Sequence, residues 1–403
     1  MSGVRRRTSD KEFLSDLRQI LESANINFLL GAGCSVPAFG TLGNIEELRT
    51  LFASDKTVAD ASTRKRMELS IDAKFFMSAL YPNYSLNDET NEKGKKTIDH
   101  YIHFCDKALE IVRERESVDK AKQITFFTSN YDICLDLALD QLRIPTNSGY
   151  SGRFNPSVDL SDFGRRVFTT TLGFGYQAEI PSANIVKIHG CVSWHNDNGN
   201  LTFINPEQDL SDINDLIVKL TESNYLCEIN TGIPAKIAYE QLIAECKKTD
   251  QAQSDVVEDL KSRIDALSIV FPNKTKFSST VLNEAYYAQL RRLTNQLEVR
   301  NSVLLVAGFS FADEHIRSLI LRAAATNPTL QILIFCYNED SESNIINLIK
   351  QSEAIPNSNI ETICSDFKEE SVLSSESEAK KEPVLSSESL DMEAISTLLS
   401  KAH

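Results

Sequence analysis

The chain has 403 residues and a formal net charge of −15, with 41% of residues hydrophobic and 25% charged. That length supports one large domain or two ordinary ones around a sizeable buried core. The acidity argues against general nucleic-acid binding, because phosphates would be repelled, and no apolar run approaches the roughly 18 residues of a membrane span.

The N-terminal stretch MSGVRRRTSDKEF has three arginines and no apolar segment behind them, so it does not read as a secretory signal, and a cytoplasmic protein is expected. Arg5, Arg6 and Arg7 read as a flexible, solvated end. Residues 10–24 place Phe13, Leu14, Leu17, Ile20 and Leu21 at helical spacing. Asn27–Leu30 reads as a short buried strand that runs into Gly31-Ala32-Gly33-Cys34-Ser35. A strand ending in a glycine turn opens a nucleotide-binding α/β unit. Further strand-like runs follow at Gln123–Thr128, Asn184–Ile188, Ser268–Phe271, Ser302–Ala307, Leu330–Cys336 and Asn359–Cys364. Most are apolar on consecutive positions, as in strands buried on both faces of a parallel sheet. Helical stretches lie between them at Tyr131–Leu142, Leu282–Leu297, Asp313–Ala325 and Ser341–Lys350. Alternating strand and helix predicts an α/β fold, a Rossmann-like doubly wound parallel sheet.

Two helix-rich insertions, about 44–120 and 205–265, are expected to pack together as a helical module beside that sheet. His195–Phe203, with Asn-Asp-Asn-Gly-Asn inside it, reads as a hairpin turn. Residues 1–366 thus form the main domain. From Lys368 the chain is rich in Ser and Glu, and VLSSES occurs at 372–377 and again at 384–389, the composition of a disordered linker. In the last segment Leu390, Ile395, Leu398 and Leu399 can line one helix face. It is either a frayed tail or a helix that docks on a partner or sister subunit. The eight cysteines form no C-x-x-C pair, which argues against a zinc ribbon and for buried, reduced thiols; no metal is expected.

Five clusters at strand ends carry candidate chemistry. In FLLGAGCSVPAFG (28–40) the glycines would let the backbone approach a phosphate; a structural turn is the competing reading, and no Gly-Lys-Ser/Thr follows to make a P-loop. Thr128-Ser129-Asn130-Tyr131-Asp132 places polar groups where ligands of parallel sheets sit, although Asp132 could equally cap the next helix. In Val186-Lys187-Ile188-His189-Gly190, His189 is either structural or a proton acceptor for a sugar hydroxyl or water. Gly308-Phe309-Ser310-Phe311-Ala312-Asp313 ends a strand, and Ser310 or Asp313 caps the following helix. Asn338 and Glu339 follow another strand, either to bind ribose hydroxyls or as solvated loop residues.

The order GAGxS, [T/S]xNxD, HG, GxSFxD, NE resembles the sirtuin family, most closely the bacterial sirtuin-like domains of anti-phage defence proteins, over most of residues 20–365. The resemblance implies NAD as substrate. Gly31, Ala32, Gly33 and Ser35 would cradle the diphosphate, and Asn130 and Asp132 would sit by the nicotinamide and its ribose. His189 would act as general base through the ribose hydroxyls. Gly308 and Ser310 would hold the adenosine phosphate side, and Asn338, with Glu339 beside it, the adenine ribose. Sirtuin deacetylases carry zinc-binding C-x-x-C pairs and an acyl-lysine clamp, and this chain has neither signature. The resemblance therefore implies an NAD glycohydrolase rather than a deacylase or ADP-ribosyltransferase, with a non-catalytic NAD or ADP-ribose sensor as a further reading. It also implies a homo-oligomer working with a HerA-type ATPase or an Argonaute-like protein, contacted through the N-terminal helix or residues 390–402.

Overall fold

The strands of the main sheet are β1 (Val4–Thr8), β2 (Asn25–Leu30), β3 (Gln123–Thr128), β4 (Thr146–Asn147), β5 (Ser182–Lys187), β6 (Ser302–Ala307), β7 (Gln331–Phe335) and β8 (Ile360–Cys364). They lie in the order β1-β8-β7-β6-β2-β3-β5-β4, and every pairing is parallel. The computed structural model describes residues 4–40, 42–58, 60–115, 120–152, 154, 156–170, 173, 175–197, 200–248, 254–270, 280–352, 357–366 and 383–402.

Strand β2 is buried at five successive positions because both of its faces are covered. Ile26, Phe28 and Leu30 enter one core and Leu29 the other, as the two-residue period of a strand requires. The helices are α1 (Lys11–Ser23), α2 (Ile45–Ser54), α3 (Ala61–Phe75), α4 (Glu92–Arg113), α5 (Cys134–Gln141), α6 (Glu207–Glu222), α7 (Ala235–Cys246), α8 (Ser254–Asp265), α9 (Thr280–Glu298), α10 (Glu314–Thr326), α11 (Glu339–Lys350) and α12 (Met392–Ala402). Helices α1, α4, α5 and α12 supply the first core and α9, α10 and α11 the second. From β2 the chain runs outward through β3 to β5, then returns to β6 on the other side of β2. The strand order therefore reverses between β2 and β6, and in such sheets ligands bind outside the carboxyl ends of the strands at that point.

The insertions divide differently from the expectation. Helices α2 and α3 do join α6, α7 and α8 around a separate core that includes Leu48, Met67, Phe75, Leu216, Leu242 and Leu260. Helix α4, however, belongs to the sheet. It is the crossover between β2 and β3, and Phe104 meets Phe28 edge-on at 5.1 Å. The expected hairpin forms, with Trp194–Asp197 antiparallel to Asn200–Phe203; residues 198–199 lie outside the described residues. Short strands at Tyr150–Ser151 and Ser157–Val158 extend it, and a second hairpin pairs Val167–Thr170 with Gln177–Ile180. These were not anticipated, being too short and polar to show a period. Ser268–Phe271 is not a sheet strand: Ile269 makes one bridge to Gly190, and Phe271 lies outside the described residues.

Both ends depart from the sequence reading. The arginine run is an edge strand, not a loose end, paired with β8 from Val4↔Ile360 to Thr8↔Cys364. Its charges meet carboxylates: Arg7 lies 2.8 Å from Asp16 and 3.4 Å from Glu361, and Arg6 lies 3.6 Å from Glu342. Charged side chains suit an exposed sheet edge because they discourage pairing with another chain. The first VLSSES copy lies outside the described residues. Helix α12 packs in cis on α4 and α1, so the apolar faces expected to meet a partner are already covered by the same chain. Among the described residues no helix is long and apolar enough to cross a membrane.

Leu398 is fully buried in this cis contact. Leu398→Ala is expected to destabilise the chain by about 2–5 kcal/mol, the cost of a core cavity. A urea midpoint lowered accordingly would confirm the docked helix, whereas an unchanged midpoint would return the segment to a frayed tail.

Candidate functional site

The carboxyl end of β2 is joined to that of β6 by backbone alone. Gly31 N–H donates to Ala307 O at 2.9 Å and Gly33 N–H to Gly308 O at 3.0 Å. A Cβ on Gly31 would lie 2.4 Å from Gly308 O, and one on Gly33 would lie 2.9 Å from Gly308 Cα. Gly308 has φ +62°, and a Cβ there would lie 2.5 Å from Cys34 N. The glycines at these positions are thus required by the close approach of two loops. The expected diphosphate cradle is altered in detail, since two of its N–H groups are spent inside the protein. Ala32 and Gly33 nevertheless remain exposed at the switch point.

Ser35 turns inward. Its hydroxyl lies 2.7 Å from Asp132 Oδ2, 2.9 Å from Tyr101 OH and 3.0 Å from Asn130 Nδ2. A hydroxyl has one proton and two lone pairs. Asp132, as a carboxylate, can only accept, so Ser35 donates to it and Tyr101 donates to Ser35. Asn130 Nδ2 also donates to Gly31 O at 3.0 Å. An amide oxygen in that place would face a carbonyl, so the Asn130 orientation is fixed by its neighbours. Its Oδ1 is left without a partner among the described residues, at the carboxyl end of β3. Asp132 Oδ1 accepts from Cys134 N–H at 3.1 Å, so Asp132 also organises the start of α5. Of the two roles expected of Asp132, the contact with the start of the next helix is present in its bond from Cys134 N–H; the bond from Ser35 is a further role that was not expected.

At the end of β5, Lys187 and His189 are both buried. Lys187 Nζ donates to Asp132 O at 2.6 Å and lies 2.6 Å from Asp136 Oδ2. Burial, the largest single influence, pulls the ammonium's pKa down, but Asp136, Cys191 and Asp132 together outweigh it, and the net shift is upward. The His189 ring lies 6.2 Å from that of Tyr131 and 6.4 Å from that of Tyr286, nearly parallel to both. Its Nε2 is 3.1 Å from Asp313 Oδ2. The approach is off the axis of a well-formed N–H bond, since Nε2 makes no aligned hydrogen bond, and the contact is an electrostatic one. Cys34, given no role from its sequence position, has its thiol pushed up to about 12 by burial and is unreactive.

The structure therefore brings together Gly31, Ala32, Gly33, Ser35, Asn130, Asp132, His189 and Gly308. Ser310 is exposed next to them, and its hydroxyl makes only a long 3.4 Å contact with Ala312 N–H. Asn338 and Glu339 stand further along the sheet edge. Asn338 caps α11 through Ser341, and Glu339 lines a groove of about 840 Å³ with Arg5, Arg6 and Cys364. No hydrogen bond or ion pair among the described residues ties either one to the Ser35 network. Sequence reasoning missed Tyr101, because its helix α4 was expected in an insertion rather than against the sheet, and the pairing of Asp313 with His189. Lys187 did carry a signal, as a charge inside an apolar strand. Among the described residues no three His, Cys, Asp or Glu side chains group so as to hold a metal.

Ser35→Ala would leave the Asp132 carboxylate and Tyr101 hydroxyl buried and short of a partner. It is expected to lower stability by about 1–3 kcal/mol, whereas Ser310→Ala should change it by less than about 0.5 kcal/mol. Chemical denaturation of the two variants distinguishes an internal hub from a surface ligand group.

A family model for the SIR2-like domain matches residues 124–363, more than half of the chain, from β3 to β8. A comparison with curated proteins finds no match. The matched segment contains Asn130, Asp132, His189, Gly308 and Ser310, and the glycine loop of β2 precedes it. On the parallel sheet, the site at its switch point and this match, the chain belongs to the family of SIR2-like domains.

Proposed function

We propose that the chain is an NAD glycohydrolase that cleaves NAD to nicotinamide and ADP-ribose. Family membership supports an NAD-linked function. The observation that carries the finer reading is the Asn130–Ser35–Asp132 network beside the exposed Ala32-Gly33 backbone, with His189 at the end of the adjacent strand β5. In this reaction the C1′–nitrogen bond breaks with a pyridinium leaving group, so the ribose passes through an oxocarbenium-like state. Asn130 is locked by Gly31 and Ser35, and its free Oδ1 is the group to orient water or the carboxamide. His189 accepts the proton that the attacking water releases, directly or through a ribose hydroxyl. Asp132 works at one remove, by fixing Ser35 and hence Asn130. The sequence lacks the paired C-x-x-C motifs of the deacetylases, which places protein deacylation second.

We extend the proposal to the biological setting that the sequence resemblance implies. The chain would be an effector of anti-phage defence that depletes NAD. It would be held inactive until it assembles with other copies and a partner in trans, of which a HerA-type ATPase is one candidate. Unregulated NAD cleavage would harm the host, which is the physical motive for such control.

Nicotinamide release from NAD by the purified chain, alone and with candidate ATPases, tests the reading. Asn130→Ala should abolish release, and His189→Ala should slow it by about 10²–10⁴-fold, the usual contribution of a general base. Modified peptide in place of free ADP-ribose would favour the deacylase or transferase reading. Tight NAD binding with no release under any condition would leave a sensor.

A further inference from the structure

His189 lies after β5 and Asp313 after β6, and two strands, β2 and β3, separate β5 from β6 in the sheet. The 308–313 loop must therefore cross the carboxyl ends of both strands for the two side chains to meet, and its conformation is built for that span. Gly308 has φ +62° and Phe311, a fully buried aromatic residue, has φ +59°. A non-glycine side chain in the left-handed region is strained and persists only where the surroundings impose it. Arg317 imposes it here, its Nη1 donating to Phe311 O and, at 3.2 Å, to Ala312 O. Asp313 then caps α10, with Oδ1 accepting from His315 N–H at 2.9 Å and Ile316 N–H at 3.0 Å. Those two bonds anchor Oδ1, and Oδ2 lies 3.1 Å from His189 Nε2.

We propose that Asp313 is the positioning residue of His189: its carboxylate holds the Nε2–H tautomer, so that Nδ1 is the nitrogen that accepts a proton. Nε2 is buried against Asp313, while Nδ1 has no partner among the described residues. The rings of Tyr131 and Tyr286 lie near-parallel to it, with centroids 6.2 Å and 6.4 Å away, and restrain its tilt. Burial pushes both tyrosine hydroxyls up, so these walls stay neutral. The contact with Asp313 at Nε2 then sets which nitrogen carries the proton. The misaligned 3.1 Å contact agrees with the common behaviour of catalytic hydrogen bonds, which tighten only once ligand is bound.

This inference deepens the NAD-cleaving reading and rests on it for its kinetic test. Asp313→Asn keeps the helix cap, since Asn and Asp cap equally well. With its oxygen held by the cap, it presents an NH₂ to Nε2 and so favours the opposite tautomer. In the full-length chain, kcat for nicotinamide release is expected to fall roughly 10–10³-fold, within what a general base supplies, with KM and the melting temperature unchanged. In a His189→Ala background Asp313→Asn should cost nothing further, because residues that act as one unit are not additive. Full turnover in Asp313→Asn, or a loss that multiplies that of His189→Ala, would overturn the proposal. A chain that releases no nicotinamide at all would sink the NAD-cleaving reading instead. The tautomer would then decide this one separately, from ¹⁵N spectra of the six labelled histidines with His189→Gln for assignment. An Nε2–H signal lost in Asp313→Asn supports it, and the same tautomer in both proteins refutes it.

Discussion

The Ser35 hydroxyl is the point on which the site depends. One oxygen satisfies a tyrosine from α4, a carboxylate from the turn after β3 and an amide from the same turn. Its capacity for one donated and two accepted hydrogen bonds is filled, so none of the three partners can move without leaving a buried polar group unmatched. Asn130 gains its orientation from this saturation. A residue that must present one chosen atom to a reacting group needs such a shell, because a side chain held only by its own rotamer is too loose for chemistry. The loop join between Gly33 and Gly308 complements it from the backbone side. There the two chain segments approach so closely that side chains are excluded altogether.

Much of this fold was legible because strands buried on both faces announce themselves as apolar runs. β3 and β6 were read with their observed bounds, and β2, β7 and β8 to within two residues. The strand-end positions of Asn130, His189 and Gly308 followed from that. What could not be read was anything set by distant contact. Tyr101 looks like any aromatic residue on an amphipathic helix until α4 is known to cross between β2 and β3. The cap on α10 was visible locally as Ser310 or Asp313; the second use of that carboxylate, against a histidine 124 positions earlier in the chain, was not. The edge strand β1 failed for a different reason. Arginines have no preference that marks a strand, and only pairing with β8, over 350 residues away, makes them one.

The C-terminal helix shows the same limit from the other side. Its apolar face was legible, and an apolar face requires a cover. Amphipathicity does not say whose surface provides it. Here the cover is α4, the helix that also carries Tyr101 into the Ser35 network. The end of the chain and the centre of the site are therefore braced against one element, with Glu393 of α12 3.6 Å from His100, the neighbour of Tyr101.

For the anionic dinucleotide proposed as substrate, a chain of net charge −15 must manage the carboxylates beside its site. It does so one at a time. Asp132 is met by the Ser35 hydroxyl and the Cys134 amide, Asp136 by the buried ammonium of Lys187, and Asp313 by two helix-terminal amides and His189. Each negative charge is engaged by donors from a neighbouring element, and the helix ends contribute through their positive termini. The same contacts that fix the geometry therefore also reduce the local field. These three carboxylates, near the strand ends that carry Asn130 and His189, are held in hydrogen bonds and ion pairs, whereas exposed ones such as Glu314 are left to solvent.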